Sequence, residues 1–234
     1  MKRILRHESY GSADHGWLKT LFHFSFADYQ NPDNIQFGVL RVLNDDLIQA
    51  GRGFANHPHR DMEIISYVVD GELTHADSMG HQQTIIRGQV QYMSAGTGVM
   101  HSEYNRGKET ARLLQIWIMP DRKGHTPAYG DFRFEWEDRV NRLLPLVSSI
   151  TGNAPVKIHQ DAQFFVSSLE AGHSIIFPIQ PKRQVYVVNI EGALDVAGEQ
   201  LRARDAMEAS DDALEFYTQL GAHFLLIEMA QPKA

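Results

Sequence analysis

The chain has 234 residues, of which 43 % are hydrophobic and 22 % charged, with 12 histidines, no cysteine and a net charge of −7. These fractions are those of an ordinary globular chain, not a disordered or fibrous one. The acidic balance, with no block of basic residues, argues against a face built to hold a nucleic-acid backbone. Without thiolates there is no disulfide framework, and any metal must be held by His, Asp and Glu.

The N-terminal stretch MKRILRHESYGSADHG carries basic residues but no apolar run of signal-peptide length. The longest apolar runs, such as Phe224-Leu225-Leu226-Ile227, are too short to span a bilayer. A cytoplasmic protein without membrane contact is the expectation. His15, Trp17, His23, Phe24, Phe26 and Tyr29 read as packing residues of the N-terminal segment.

Short strands follow. Ile35 to Leu43, Glu63 to Val69, Gln83 to Ile86 and Arg112 to Ile118 are β-branched or aromatic runs bounded by Asn-Asp, Asp-Gly or Met-Pro. Asp70-Gly71 and Met79-Gly80 read as hairpin turns, and His75, Asp77 and His81 as a solvated loop. After Pro120 the chain turns polar, a linker is expected near 120–145, and Trp136 to Leu143 has the texture of one short helix.

The second half repeats the first in outline. Val185 to Ile190 followed by Glu191-Gly192 parallels Ile65 to Val69 followed by Asp70-Gly71. Two similar β-barrels in tandem are therefore expected.

Two motifs carry chemistry: His57-Pro58-His59, followed by Glu63, and His101-Ser102-Glu103. In a strand, residues i and i+2 share a face, so two neighbouring strands of this kind would converge three imidazoles and a carboxylate. Such a donor set suits a divalent first-row metal. Pro58 cannot donate to a ladder, which places its strand at an edge or an irregularity. Chance alone gives about 0.6 His-x-His pairs in a chain of this composition, so the pair by itself is weak.

The surrounding frame is more specific. Gly51-x5-His57-x-His59-x3-Glu63 and Gly88…Gly96-x4-His101-x3-Asn105 resemble the two cupin motifs. The strings NDDLIQAGRGFANHPHRDMEI, GELTHADSMG, VQYMSAGTGVMHSEYN and LLQIWIMP, with DHGWLKTLFHFSFADYQNP before them, resemble the pirin family. This resemblance implies an all-β bicupin, with two tandem cupin (double-stranded β-helix, or jelly-roll) barrels. Residues 1–130 would form the domain with the metal site, and 131–234 a domain without one. The implied ligands are His57, His59, His101 and Glu103. The general cupin pattern would instead nominate Glu63 as the carboxylate. The glycine after Glu63 falls one residue late, and two extra residues separate Gly96 from His101. HSE as a block belongs to the pirin branch, so Glu103 is preferred and Glu63 becomes a residue that could orient a ligating imidazole. Aligning the halves on Gly71 and Gly192, and on Arg87 and Arg202, puts the ligand positions on Pro178, Gln180, Phe216 and Thr218, so the second barrel is expected to hold no metal.

The resemblance implies a metal-dependent dioxygenase acting on a flavonol such as quercetin with O2, with Glu103 as base for the 3-hydroxyl. Iron(II) is the first expectation, with nickel, copper, manganese or zinc compatible. The partners implied are a small aromatic substrate and O2. The alternative is a non-enzymatic, redox-sensing co-regulator that binds a protein partner.

Overall fold

The computed structural model describes residues 1–210 and 212–232. Among them there is no α-helix, only two short 3-10 turns at His7–Ser9 and Trp136–Arg139. The second of these replaces the expected helix over Trp136 to Leu143. The chain divides into two compact units: Tyr10–Phe134 with Ile158–Gln160, and Met1–Ser9 with Glu135–Lys157 and Asp161–Ala234. The first strand, β1 (Lys2–Leu5), belongs to the second unit, where it pairs a later strand from Lys2 opposite Ala209 to Leu5 opposite Ala206.

The N-terminal unit is built from β2 (Gly11–Asp14), β3 (Leu18–Phe22), β4 (Leu40–Ile48), β5 (Gly53–His59), β6 (Glu63–Asp70), β7 (Glu72–Asp77), β8 (Gln82–Ile86), β9 (Val90–Ser94), β10 (Val99–Tyr104), β11 (Ala111–Ile118) and β12 (Ala128–Phe132). One antiparallel sheet has the order β12-β9-β6-β11-β4-β3-β2, and the other β5-β10-β7-β8. Pro58 therefore lies on an edge strand, where its missing N–H costs no ladder bond. Leu18, Ile48, Val68, Leu73, Ile85 and Leu113 form one apolar layer of the barrel, and Ile64, Met93 and Val99 another.

Strand β4 departs from expectation. The run beginning at Ile35 forms a strand only from Leu40, after a tight turn in which Gly38 has φ +53. The Asn44-Asp45-Asp46 segment, whose composition suggests a turn, lies mid-strand and is buried. These polar residues are tolerated there because alternate side chains take opposite faces. Asp45 pairs with Arg112 at 2.9 and 2.7 Å, while Asn44 and Asp46 line a cavity on the other face.

The C-terminal unit comprises β13 (Leu144–Ser149), β14 (Val156–Ile158), β15 (Ala162–Leu169), β16 (Ser174–Phe177), β17 (Arg183–Val196), β18 (Glu199–Arg202), β19 (Ala206–Ser210), β20 (Leu214–Tyr217) and β21 (Ala222–Ala230). Its central order β1-β19-β17-β21-β15-β13 repeats the order β12-β9-β6-β11-β4-β3. Gly71 and Gly192, on which the two halves align, both adopt positive φ, +73 and +78. Each lies where the chain passes from one sheet into the other, from β6 to β7 and within β17, at a φ where a side chain would be strained. Asp70-Gly71 is therefore a crossing between sheets and not the expected hairpin turn. The β1 segment fills the place in its unit that β12 fills in the other, so the units interrupt one another in sequence. A single boundary at 130/131 does not describe this division. Phe216 is fully buried and stacks on Phe224 at 4.7 Å, whereas Pro178 and Gln180 lie exposed after β16.

Candidate metal centre and its cavity

Strand β10 sits between β5 and β7. Its register puts His101 opposite His57, Val99 opposite His59, and Glu103 opposite His75. Between His101 and Glu103 the ladder to β5 slips, so Glu103 pairs with Phe54. The slip depends on Gly53, because a Cβ there would stand 2.1 Å from the Glu103 carbonyl oxygen.

The register brings together the three histidines expected from sequence. Ring centroids are 4.8 Å apart for His57 and His59, 4.4 Å for His57 and His101, and 4.9 Å for His59 and His101. One ligand atom from each lies within 4.8 Å of the others. Glu103 belongs to an adjoining group of the same tightness with His101 and His75.

Hydrogen bonds decide which imidazole nitrogens remain free. Nδ1 of His57 donates to the Ala55 carbonyl at 2.7 Å, so its Nε2 carries the lone pair. Gln91 Nε2 lies 3.1 Å from Glu103 Oε1 and 3.0 Å from His75 Nδ1. As a donor, it makes that His75 nitrogen an acceptor and leaves His75 Nε2–H to donate to Asp77 at 2.9 Å. His101 Nδ1, 3.4 Å from the same His75 nitrogen, must then be the protonated one. That leaves His101 Nε2 buried, bare and without any partner. Burial, reinforced by the neighbouring histidines, pushes His59 down to about 4 and His101 down to about 3, so both are neutral near pH 7. Neutral imidazoles with lone pairs facing one another are the form in which His binds a metal, and three of them with a carboxylate alongside fit a divalent first-row ion.

Glu103 rests on a polar row that crosses the larger sheet. Antiparallel register places Asn44, Gln115, Ser66 and Gln91 side by side on β4, β11, β6 and β9. Ser66 Oγ and Gln91 Nε2 donate to Glu103 Oε1 at 3.1 Å each, and Gln115 Nε2 donates to Oε2 at 2.7 Å. Ser66 Oγ also stands 3.0 Å from Gln115 Oε1. A single hydroxyl proton can satisfy only one of these two acceptors at a time, and this bears on Glu103 as a proton acceptor.

The cavity beside these groups measures about 280 Å³, at the small end of ligand pockets. Apolar walls come from Leu18, Phe22, Phe26, Phe54 and Trp117, and polar ones from His57, His59, Glu103, Gln115, Thr20, Asn44 and Asp46. Phe26 and His15, expected as plain packing residues, thus border the cavity. Burial pushes the Asp46 carboxyl up to about 7, with the Asp45 and Glu103 carboxylates adding to the shift and Thr20 opposing it.

Glu63 stands apart from this centre. It lies three residues from Ser66 on β6 and so faces the opposite side of the strand. Its carboxylate accepts hydrogen bonds from Tyr92 at 3.0 Å and Ser94 at 2.7 Å, and pairs with His159 at 3.4 Å. The expectation that it orients a ligating imidazole is corrected, because its partners are none of His57, His59 and His101. His75, read as part of a solvated loop, is fully buried, and Asp77 holds both it and His81. The His75-x-Asp77 spacing was the available signal: both residues share a face of a strand that borders β10.

A further group of possible donors, His7, Glu8 and Asp205, occurs in the C-terminal unit. Asp205 is buried there, with Arg6 at 2.7 Å and His7 Nδ1 at 2.9 Å, and these neighbours hold its carboxyl down to about 2. This is an ion-pair cluster at the surface around one buried carboxylate, whose negative charge is already met.

Residues 4–118 match the Pirin family, and residues 146–229 match the Quercetinase C-terminal cupin domain. A pirin-like protein of Caulobacter vibrioides is 42 % identical over 222 residues, covering 94 % of this chain and 96 % of the relative. The chain belongs to the pirin family. The quercetin 2,3-dioxygenase of Escherichia coli K12 is 38 % identical over 221 residues, 94 % of each chain. The crystal structure of the bacterial pirin YhhW of Escherichia coli in complex with nickel(II) superposes with a TM-score of 0.93 at 35 % identity, covering 99 % of this chain and 100 % of that one. The chain is thus an all-β bicupin pirin, and among its described residues no helix is long and apolar enough to cross a membrane.

Proposed function

We propose that this pirin is a metal-dependent dioxygenase that opens the central ring of a flavonol such as quercetin with O2, releasing carbon monoxide. The observation that carries the reading is the bare, buried His101 Nε2 among neutral imidazoles, beside Glu103 and an aromatic-walled cavity. Relatives named quercetin 2,3-dioxygenase support the substrate class.

His57, His59 and His101 would hold one divalent metal, with Glu103 at or beside it; iron(II) is our first assignment, and nickel fits the same donors. When bound, the metal supplies Lewis acidity toward the substrate hydroxyl and a redox partner for O2. The chain does the rest. Phe22, Phe26, Phe54 and Trp117 cover a flat aromatic ligand and exclude water. Glu103 accepts the 3-hydroxyl proton. Once protonated at Oε1, it donates to Ser66 Oγ, whose own hydroxyl turns to Gln115 Oε1, so the Ser66 and Gln115 oxygens keep a donor in both states. The row thus accommodates both protonation states of Glu103 without rearranging the sheet. The chemistry resides in the N-terminal unit. In the C-terminal unit Phe216 pairs with Val196 as Glu103 pairs with His75. An apolar ring packed on Phe224 thus stands at the counterpart of Glu103 and not of His101, where the sequence alignment puts it.

The test is metal analysis of untagged protein together with oxygen uptake and carbon monoxide release on a flavonol panel. One metal per chain, lost in the His57→Ala/His59→Ala double variant with the fold retained, is expected along with turnover in the wild type. Metal that survives the double change, or a loaded protein that consumes no oxygen with any flavonol, would refute the proposal.

A further inference from the structure

Buried polar groups in folded proteins are almost always hydrogen-bonded, because an unmade bond leaves the desolvation of that group uncompensated. Three residues lining the cavity break this rule. Asn44 Oδ1 and Trp117 Nε1 are buried without a partner, and Thr20 Oγ1, also buried, makes no well-formed bond and bears only on the Asp46 carboxyl. Asp46, also on the cavity wall, is only 3 % exposed and has no cationic partner among the described residues, whereas Asp45 beside it is held by Arg112.

The placement of these groups follows from register. Thr20 lies opposite Asp46, and Asn44 lies next to Gln115, where the row beneath Glu103 begins. Gln115, Ser66 and Gln91 all bond to Glu103. Asn44, the remaining member of the row, does not. In this polar, buried wall the Thr20 hydroxyl meets only the Asp46 carboxyl opposite it and Asn44 Oδ1 meets no donor, and the wall adjoins the carboxylate that would receive the substrate proton.

We propose that Thr20, Asn44 and Asp46 form a hydrogen-bonding subsite that reads a second oxygen substituent on a hydroxylated aromatic substrate, distinct from the hydroxyl addressed by Glu103. The inference rests on the aromatic-ligand part of the proposed function and narrows the substrate class to polyhydroxylated aromatics. A site built to hydrogen-bond a substituent discriminates strongly against the analogue that lacks it, because its own groups are then left unpaired. It also carries a cost in the free protein, since groups kept for a ligand weaken the empty fold.

The test uses the full-length, metal-loaded protein under argon and reads binding by quenching of tryptophan fluorescence, with 3-hydroxyflavone, galangin and quercetin as probes. These share the 3-hydroxyl and differ in their further hydroxyls. For the wild type, at least one added set of hydroxyls is expected to tighten binding about tenfold. In the Thr20→Val/Asn44→Leu variant that ratio falls to within about threefold. Thermal unfolding provides an independent readout: removing unpartnered polar atoms is expected to raise the midpoint by about 2–4 °C. Asn44→Leu alone, close in volume, gives the same two readouts should the double variant fold poorly. An unchanged hydroxyl ratio in the variants would overturn the subsite, as would the absence of saturable binding by all three probes. If the ratio collapses in a protein that consumes no oxygen, the subsite stands and the dioxygenase reading falls. Oxygen uptake with an unchanged ratio gives the reverse.

Discussion

Glu103 and Asp46 are both buried carboxyls beside the cavity, and their surroundings set them to different tasks. Glu103 accepts three hydrogen bonds from neutral side chains, which support its charge while leaving room for a proton. Replacing it by Gln removes the proton acceptor and turns a donor toward Gln115 Nε2. Glu103→Gln is expected to reduce turnover at least about a thousandfold, within the range assigned to general bases. Glu63→Gln, whose partners lie away from the histidines, should stay within about tenfold. Steady-state rates on one flavonol check the ranking, and a larger loss for Glu63→Gln would return the catalytic role to that residue. Asp46 behaves differently because burial dominates. The unfolded chain releases this proton near 3.8, while the folded chain keeps it to about 7, so the group makes the fold less stable as pH rises through that window. In metal-free protein, Asp46→Asn should therefore gain stability relative to wild type between pH 4 and pH 8, by up to about 4 kcal/mol at roughly 1.4 kcal/mol per unit. Urea titrations of both proteins across that range measure it, and a constant difference would show that Asp46 is already ionised at pH 4.

At the scale of the element, β10 decides the site. Its two alternate residues reach different partners because the ladder to β5 slips between them. His101 then meets the two histidines of β5, while Glu103 is carried over the polar row of the opposite sheet. Gly53 is what permits the slip, since any larger residue puts a carbon into the Glu103 carbonyl. Gly53→Ala is expected to force β5 and β10 apart and to weaken metal binding by at least about tenfold, as for changes that misplace ligands. Metal titration followed by His-sensitive spectroscopy checks this, and unaltered affinity would mean that the strands yield without moving the ligands. Strand β4 supplies the complementary lesson. Its Asn44-Asp45-Asp46 segment resembles a turn by composition, yet it forms a strand because one face meets Arg112 and the other the cavity.

Over the whole molecule, the same barrel plan is used twice with different interiors. The N-terminal unit leaves a cavity walled partly by polar groups. The C-terminal unit packs Leu194, Val196, Leu201, Leu214, Phe216 and Phe224 into one apolar cluster. Phe216→Ala removes a fully buried ring stacked on Phe224 and should lower stability by about 3–5 kcal/mol. Metal content and turnover per folded molecule should change little. Denaturant unfolding and metal analysis on the same sample separate the two effects, and lost metal with retained stability would place Phe216 at a functional surface.

The sequence by itself determined the strand-rich fold, the tandem repeat with its paired turn glycines, and the His-x-His and His-x-Glu pairs. All of these follow from near-neighbour rules: alternation along a strand, positive φ at glycine, and motif spacing. Only the tertiary structure decided which residues meet across strands. His75, Ser66, Gln91 and Gln115 reach the centre by register between strands far apart in sequence, and no periodicity in the chain announces that register. Glu63 has the residue type of a ligand, but its parity on β6 relative to Ser66 turns it to the other face. The division of the chain depended on structure for the same reason. Residues 1–9 join the C-terminal unit because β1 pairs with β19, a strand about two hundred residues away that local composition does not encode.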